Sequence, residues 1–203
     1  MTNLSIKSQV DSLSVDVSSI MPQTKMTTEQ FYAFCRDNRE LRIERTAEGE
    51  VIVMPPAFSD TGNRNLKIAQ QLANWADKDG TGEGFDSSAG FTLPNGATRS
   101  PDASWIKLDR WDALSAEQTA SFAPICPDFV IELRSSSDTL KSLQEKMQEY
   151  IDNGVVLGLL IDRKQQKVHV YRAGKEAEVL DAPSSVDCNP EMPGLRLQMK
   201  KIW

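Results

Sequence analysis

The 203 residues suffice for one sizeable domain, and contents of 39% hydrophobic and 26% charged residues are ordinary for a globular protein. No apolar run approaches the roughly 20 residues that span a bilayer, and no basic segment leading into an apolar core marks a secretory signal. A net charge of -6 argues against a protein that coats nucleic acid non-specifically, because such binding depends on neutralising phosphates.

Residues 1–25 are rich in Ser, Thr and Gln and read as a mobile arm, with a weak edge strand conceivable at Leu13-Ser14-Val15-Asp16-Val17. A single domain is expected over residues 26–203. Thr27 with Gln30 three residues on forms a capping box that opens a short helix to about Asn38. Leu41-Arg42-Ile43-Glu44-Arg45 alternates, a turn follows at Ala47-Glu48-Gly49-Glu50, and Val51-Ile52-Val53-Met54 is apolar, which predicts a hairpin. On that hairpin Glu44 reads as solvated. Asp60 or Thr61 is expected to cap a helix running to about Asp77, with Leu66, Ala69, Leu72, Ala73 and Ala76 on one side. Gly80, Gly82 and Gly84 mark a loop, and residues 85–93 a strand. Asn95-Gly96 is a hairpin signal, with the next strand at residues 102–107.

Arg110 to about Ser121 reads as one short helical insertion. Phe129-Val130-Ile131-Glu132-Leu133 is a buried-looking strand, and residues 135–138 offer several N-caps for a helix with Leu140, Leu143, Met147, Tyr150 and Ile151 on one face. Gly154 suits its end. Residues 155–161 are nearly all apolar, as in a strand covered on both sides, and Lys167-Val168-His169-Val170-Tyr171 alternates as a final hairpin partner. His169, the one histidine, is expected at the surface. The pattern predicts a mixed sheet flanked by helices, an α/β or α+β domain, with a right-handed crossover between the strands at 129–133 and 155–161.

The chemistry-bearing groups fall between residues 100 and 150. Asp102 begins one strand and Glu132 nears the end of another; if those strands are neighbours, both carboxylates reach one divalent ion. Such an ion would relieve the repulsion between a phosphodiester and an incoming hydroxide. Alternation places Val130 and Glu132 on the same face. A carboxylate beside an apolar residue needs a partner, either a cation or a salt bridge to Arg134 or Lys146. On the helical wheel Lys146 lies at the border of the apolar stripe, where a lysine is either solvated or reaches along the sheet. The widely spaced Cys35, Cys126 and Cys188 show no metal-ligand spacing and no disulfide framework, and are expected as reduced thiols in a cytoplasmic protein. A single histidine supports no histidine-rich zinc site. The serines lack the glycine-flanked elbow of a hydrolase, and the four tryptophans read as packing residues before base-stacking ones.

In order, Pro101-Asp102, Glu132 and a following basic residue resemble the PD-(D/E)XK nuclease superfamily. More closely, the chain resembles the Uma-two family of restriction endonuclease-like proteins. The matching segments include Arg42-Ile43-Glu44-Arg45, Val53-Met54-Pro55-Pro56, Thr61-Gly62-Asn63-Arg64-Asn65, Arg99-Ser100-Pro101-Asp102-Ala103, residues 126–133, residues 146–154 and Lys201-Ile202-Trp203. The resemblance implies a restriction-endonuclease-like core and a metal-dependent DNA endonuclease. It implies Asp102 and Glu132 as ligands of Mg2+ or Mn2+, Lys146 as the catalytic lysine, and Glu44 as an accessory acid. Arg134 stands where the superfamily pattern puts lysine; arginine does not shuttle protons but holds phosphate, so a substrate-binding role is expected for it. Two readings follow: a Mg-dependent endonuclease acting on DNA, expected as a homodimer because cutting both strands takes two active centres, and a nuclease fold kept for binding or assembly without catalysis.

Overall fold

A computed structural model describes residues 25–203; the arm expected over residues 1–25, with its weak strand, lies outside the described residues but for residue 25. The chain divides into two compact units, Met1–Pro56 and Ala57–Trp203.

In the first unit, helix α1 (Thr28–Asp37) opens on the anticipated capping box. The Gln30 N–H donates to Thr27 Oγ1 at 3.3 Å, and the Thr27 N–H to Gln30 Oε1 at 2.9 Å, satisfying two otherwise orphaned donors. Strands β1 (Arg42–Arg45) and β2 (Val51–Met54) pair antiparallel, with Ile43 opposite Val53. Gly49 in the turn has φ +91, a conformation that favours glycine, and a Cβ there would sit 2.8 Å from the Met26 carbonyl. Glu44 corrects the sequence reading: it is 3% exposed, not solvated. Ile43, Glu44 and Arg45 are consecutive and all buried, so both faces of β1 are covered, whereas alternation alone assumes one open face.

The second unit begins with α2 (Ser59–Asp79), which closes on Gly80 in the left-handed region at φ 68. It starts before either expected cap. Phe58 holds the cap position without a side-chain hydrogen bond, and Asp60 in the first turn instead pairs with Arg64 and Arg163. The glycine-rich stretch is also not all loop: Gly82 and Gly84 lie in β3 (Gly82–Asp86). A Cβ on Gly82 would collide with the Ile106 carbonyl and the Trp105 ring, so glycine here permits close strand pairing rather than a turn. The expected strand over 85–93 breaks because the Asp86 carboxylate accepts the Ser88 N–H at 2.9 Å and turns the chain. Short β4 (Phe91–Thr92) and β5 (Thr98–Arg99) then form the hairpin that Asn95-Gly96 predicted.

Next comes β6 (Ala103–Lys107), followed by two short helices, α3 (Leu108–Asp112) and α4 (Ala116–Thr119), in place of one. Ser115 caps the second with its own box to Gln118, which stops a continuous helix. Strand β7 (Phe129–Leu133), helix α5 (Leu140–Asp152) and strand β8 (Leu157–Asp162) make the expected crossover, and β7 and β8 are parallel. The cap of α5 is Thr139, because Asp138 is spent on the Ser135 N–H at 2.8 Å. Strand β9 (Lys167–Arg172) follows, then β10 (Glu178–Asp181), β11 (Ser185–Asp187), β12 (Arg196–Gln198) and a 3-10 turn over Met199–Lys201. The sequence reading contained none of the last four.

Among the described residues the main sheet has six strands in the order β10-β9-β8-β7-β6-β3. One face carries Ala103, Trp105, Phe129, Ile131, Leu133, Leu157, Leu159, Ile161, Val168 and Val170 in a core with Ile68, Leu72 and Ala76 of α2. Val186, Leu197, Met199 and Ile202 extend that core. The opposite face meets α5, where Gly158 leaves room for Met147. Among the described residues no helix is long and apolar enough to cross a membrane.

His169 also departs from the sequence reading. It is 7% exposed, because β10 pairs outside β9 and puts Val179 opposite it. Burial pushes its pKa below the ordinary 6.5, with Asp162 opposing and Lys167 reinforcing the shift.

Two outcomes are expected. Gly82→Ala should lower the melting temperature by about 5 °C, from roughly 2 kcal/mol of overpacking against β6; circular dichroism melting checks it, and an unchanged midpoint rejects the close-approach account. The folded chain binds the His169 proton more weakly than the unfolded chain, so stability present at neutral pH is lost as pH falls through about 6.5 toward the lowered folded value. Urea unfolding at pH 7.5 and 5 should show wild type losing more stability than His169→Gln; equal losses would reject that linkage.

Candidate active site

Strand pairing sets the site. The antiparallel register of β6 and β7 puts Ala103 opposite Ile131, and one further step brings Asp102 opposite Glu132. Residues opposed across a pair share a face with Cβ atoms about 5 Å apart. The neighbouring strands that sequence could only assume are therefore present. Asp102 follows Pro101 and is half-buried. Its Oδ1 accepts from Asn65 Nδ2 of α2 at 2.7 Å, and its Oδ2 from the Leu133 backbone N–H at 2.8 Å. A helix and the end of β7 thus grip the same carboxylate.

Glu132 is 5% exposed. Its Oε1 accepts the Tyr150 O–H at 3.0 Å and lies 2.8 Å from Lys146 Nζ. Lys146 and Tyr150 are four residues apart on α5, so both project from one side of the helix. The ammonium also sits 5.8 Å from the Tyr150 ring centroid, within cation–π range. Lys146 is thus half-buried at the stripe's border and directed at Glu132. The ion pair foreseen as one fate of Glu132 is made, with Lys146 as the partner.

Arg134 is placed differently. Its Nη1 lies 2.7 Å from Oδ2 of Asp162, a carboxylate with no exposed surface, and its Nε donates to the Asp138 carbonyl at 3.3 Å. Asp162 Oδ1 also accepts the Lys164 N–H at 2.9 Å, fastening the turn after β8. The guanidinium thus neutralises a buried charge. Glu44 belongs to the first unit, on β1.

The donor set suits a hard cation. Asp102 and Glu132 would hold such an ion through carboxylate oxygens, the donor type that magnesium or manganese takes. One atom supports the fit: Asn65 Oδ1 is buried and accepts no hydrogen bond. Leaving a carbonyl so costs about 1–3 kcal/mol. Among the described residues no three His, Cys, Asp or Glu side chains form an all-protein metal cage. Cysteine chemistry is disfavoured, since burial pushes the thiols of Cys126 and Cys188 up to about 12 and that of Cys35 up to about 11.

Sequence reasoning missed Asn65 and Tyr150 as site residues. Tyr150 carried a signal, standing four residues after Lys146, but its place in the apolar stripe reads as packing. Asn65 carried only a weak one, a poor helix former inside a helix.

The family model described as Uma2, putative restriction endonuclease, matches residues 28–200. Among solved structures, a putative nuclease belonging to DUF820 from Anabaena variabilis ATCC 29413 superposes with a TM-score of 0.70 at 21% identity, over 87% of this chain and 97% of that one. It is similar in fold. A DrdV–DNA complex gives a TM-score of 0.37 at 16% identity, over 60% of this chain and 10% of that one, a likeness too slight to carry an argument. No curated protein matches the chain.

Removing one partner of a buried pair strands the other charge. Lys146→Met should cost about 3 kcal/mol in urea unfolding, and the Lys146→Met/Glu132→Gln double variant should recover at least about 1 kcal/mol of it. Additive losses would show that the two charges are not coupled.

Proposed function

Because this chain belongs to the Uma2 family, described as putative restriction endonucleases, we propose that it is a Mg2+- or Mn2+-dependent DNA endonuclease hydrolysing phosphodiester bonds at Asp102, Glu132 and Lys146. The observation that carries this reading is the 2.8 Å approach of the Lys146 ammonium to Glu132, which the strand register sets opposite Asp102.

When bound, the divalent ion supplies Lewis-acid stabilisation of the phosphate and a more acidic water. The protein's own groups prepare the rest. The Asn65 and Leu133 N–H groups hold Asp102 from two directions. The Tyr150 hydroxyl fixes the rotamer of Glu132. Lys146 places a fixed positive charge beside the carboxylates, where it meets the charge growing on the phosphate oxygens; preorganised charge of this kind needs no rearrangement during reaction. Glu132 holds that ammonium in place. Arg134 is paired with Asp162, so Lys146 is the cation this reading assigns to the phosphate. Glu44 remains a candidate accessory acid through the family resemblance alone. Cutting both strands takes two such centres, so the working form is proposed to be a homodimer, acting in the cytoplasm where DNA and free thiols occur together.

One observation favours a second reading, a nuclease fold retained for binding or assembly. The position two after Glu132 holds Arg134, and its guanidinium is committed to Asp162.

Nicking of supercoiled plasmid with magnesium or manganese separates the two. Wild type should nick, chelator should abolish nicking, and Asp102→Ala, Glu132→Ala and Lys146→Ala should each reduce it at least about 100-fold. Plasmid binding without nicking by the wild type would establish the second reading, and undiminished nicking in the variants would reject the residue assignments.

A further inference from the structure

Asn65 donates through Nδ2 to Asp102 Oδ1 at 2.7 Å, and an ionised carboxylate only accepts, so the orientation of the Asn65 amide is set. Its carbonyl oxygen is then fixed as well. Amide bond lengths keep Oδ1 about 2.3 Å from Nδ2, hence within about 5 Å of the Asp102 oxygen. That carbonyl is buried from water and accepts no hydrogen bond, although buried polar atoms rarely lack a partner. A water needs roughly 2.8 Å of separation from its partner, whereas Mg2+ sits about 2.1 Å from its oxygens. A buried oxygen without a hydrogen-bond donor, next to a carboxylate, suits a hard cation as a neutral ligand.

We propose that Asn65 Oδ1 is a third oxygen donor to the divalent cation, with Asp102 and Glu132. This rests on reading those two acids as an ion site. Asn65 then does two things at once: its N–H aims Asp102, and its carbonyl contributes a neutral ligand that leaves the charge of the site to the carboxylates.

Calorimetric titration of the full chain with Mn2+ tests it without reference to activity. Asn65→Ala should weaken binding at least tenfold. Asn65→Asp keeps an oxygen and loses the N–H, so it should bind Mn2+ at least as tightly as wild type. A role confined to holding Asp102 predicts the reverse, weakened binding in Asn65→Asp, and that result overturns the proposal. Unchanged affinity in Asn65→Ala overturns it too. Thermal melts of both variants show whether they are folded; if Asn65→Ala does not fold, the Asn65→Asp titration decides. Asp102→Ala run alongside separates the failures. Binding lost in Asp102→Ala but kept in Asn65→Ala leaves the two-acid site standing and removes only Asn65. A wild type that binds no Mn2+ removes both.

Discussion

The antiparallel pairing of β6 with β7 is the constraint on which the site depends. Asp102 lies just before one strand and Glu132 near the end of the other, 30 positions apart by their numbers in the chain. Only the register that sets Ala103 against Ile131 brings them to adjoining places at one end of the sheet. A slip of one residue would turn Glu132 into the apolar core on the other face and exchange it for Ile131 or Leu133, which makes the register expensive to change. The Asp102 carboxylate strengthens that register by accepting the Leu133 N–H, so a candidate functional group also closes the end of the strand pair.

The two faces of the sheet differ accordingly. The α2 face is apolar throughout, with Phe129, Ile131, Leu157, Leu159 and Val168 showing no exposed surface. The α5 face contains charge. Glu132 meets Lys146 and Tyr150, Leu160 separates it in the strand row from His169, and Asp162 lies beyond with Arg134. Buried ion pairs return little net stability, because desolvation offsets the attraction. Two of them on one side of a small sheet are therefore poor devices for stability alone. The Arg134–Asp162 pair has a structural explanation, since Asp162 also fastens the turn after β8. The Lys146–Glu132 pair stands beside a second carboxylate, Asp102.

Much of the architecture was legible from local pattern. The capping box at Thr27, the Asn95-Gly96 hairpin, the five-residue strand at Phe129–Leu133 and the helix face of Met147 and Tyr150 all follow from spacing and turn chemistry. What failed, failed where local pattern underdetermines neighbours. Gly82 looked like loop because its reason for being glycine is Trp105, 23 positions later. His169 looked exposed because the weakly patterned strand that covers its edge, β10, has no long apolar alternation.

For the site the division is sharper. Sequence by itself determined the inventory: two acids and a lysine in strand, strand and helix, with Lys146 placed by its angle on the wheel at the edge of a buried stripe. Helix and strand periodicities are local, so they carry that much. Tertiary structure alone decided the partners: Glu132 to Lys146 and Tyr150, Asp102 to Asn65 and the Leu133 backbone, Arg134 to Asp162. Each of those contacts joins atoms on different elements within about 3 Å, a distance set by sheet register and helix packing together. No spacing along the chain encodes it.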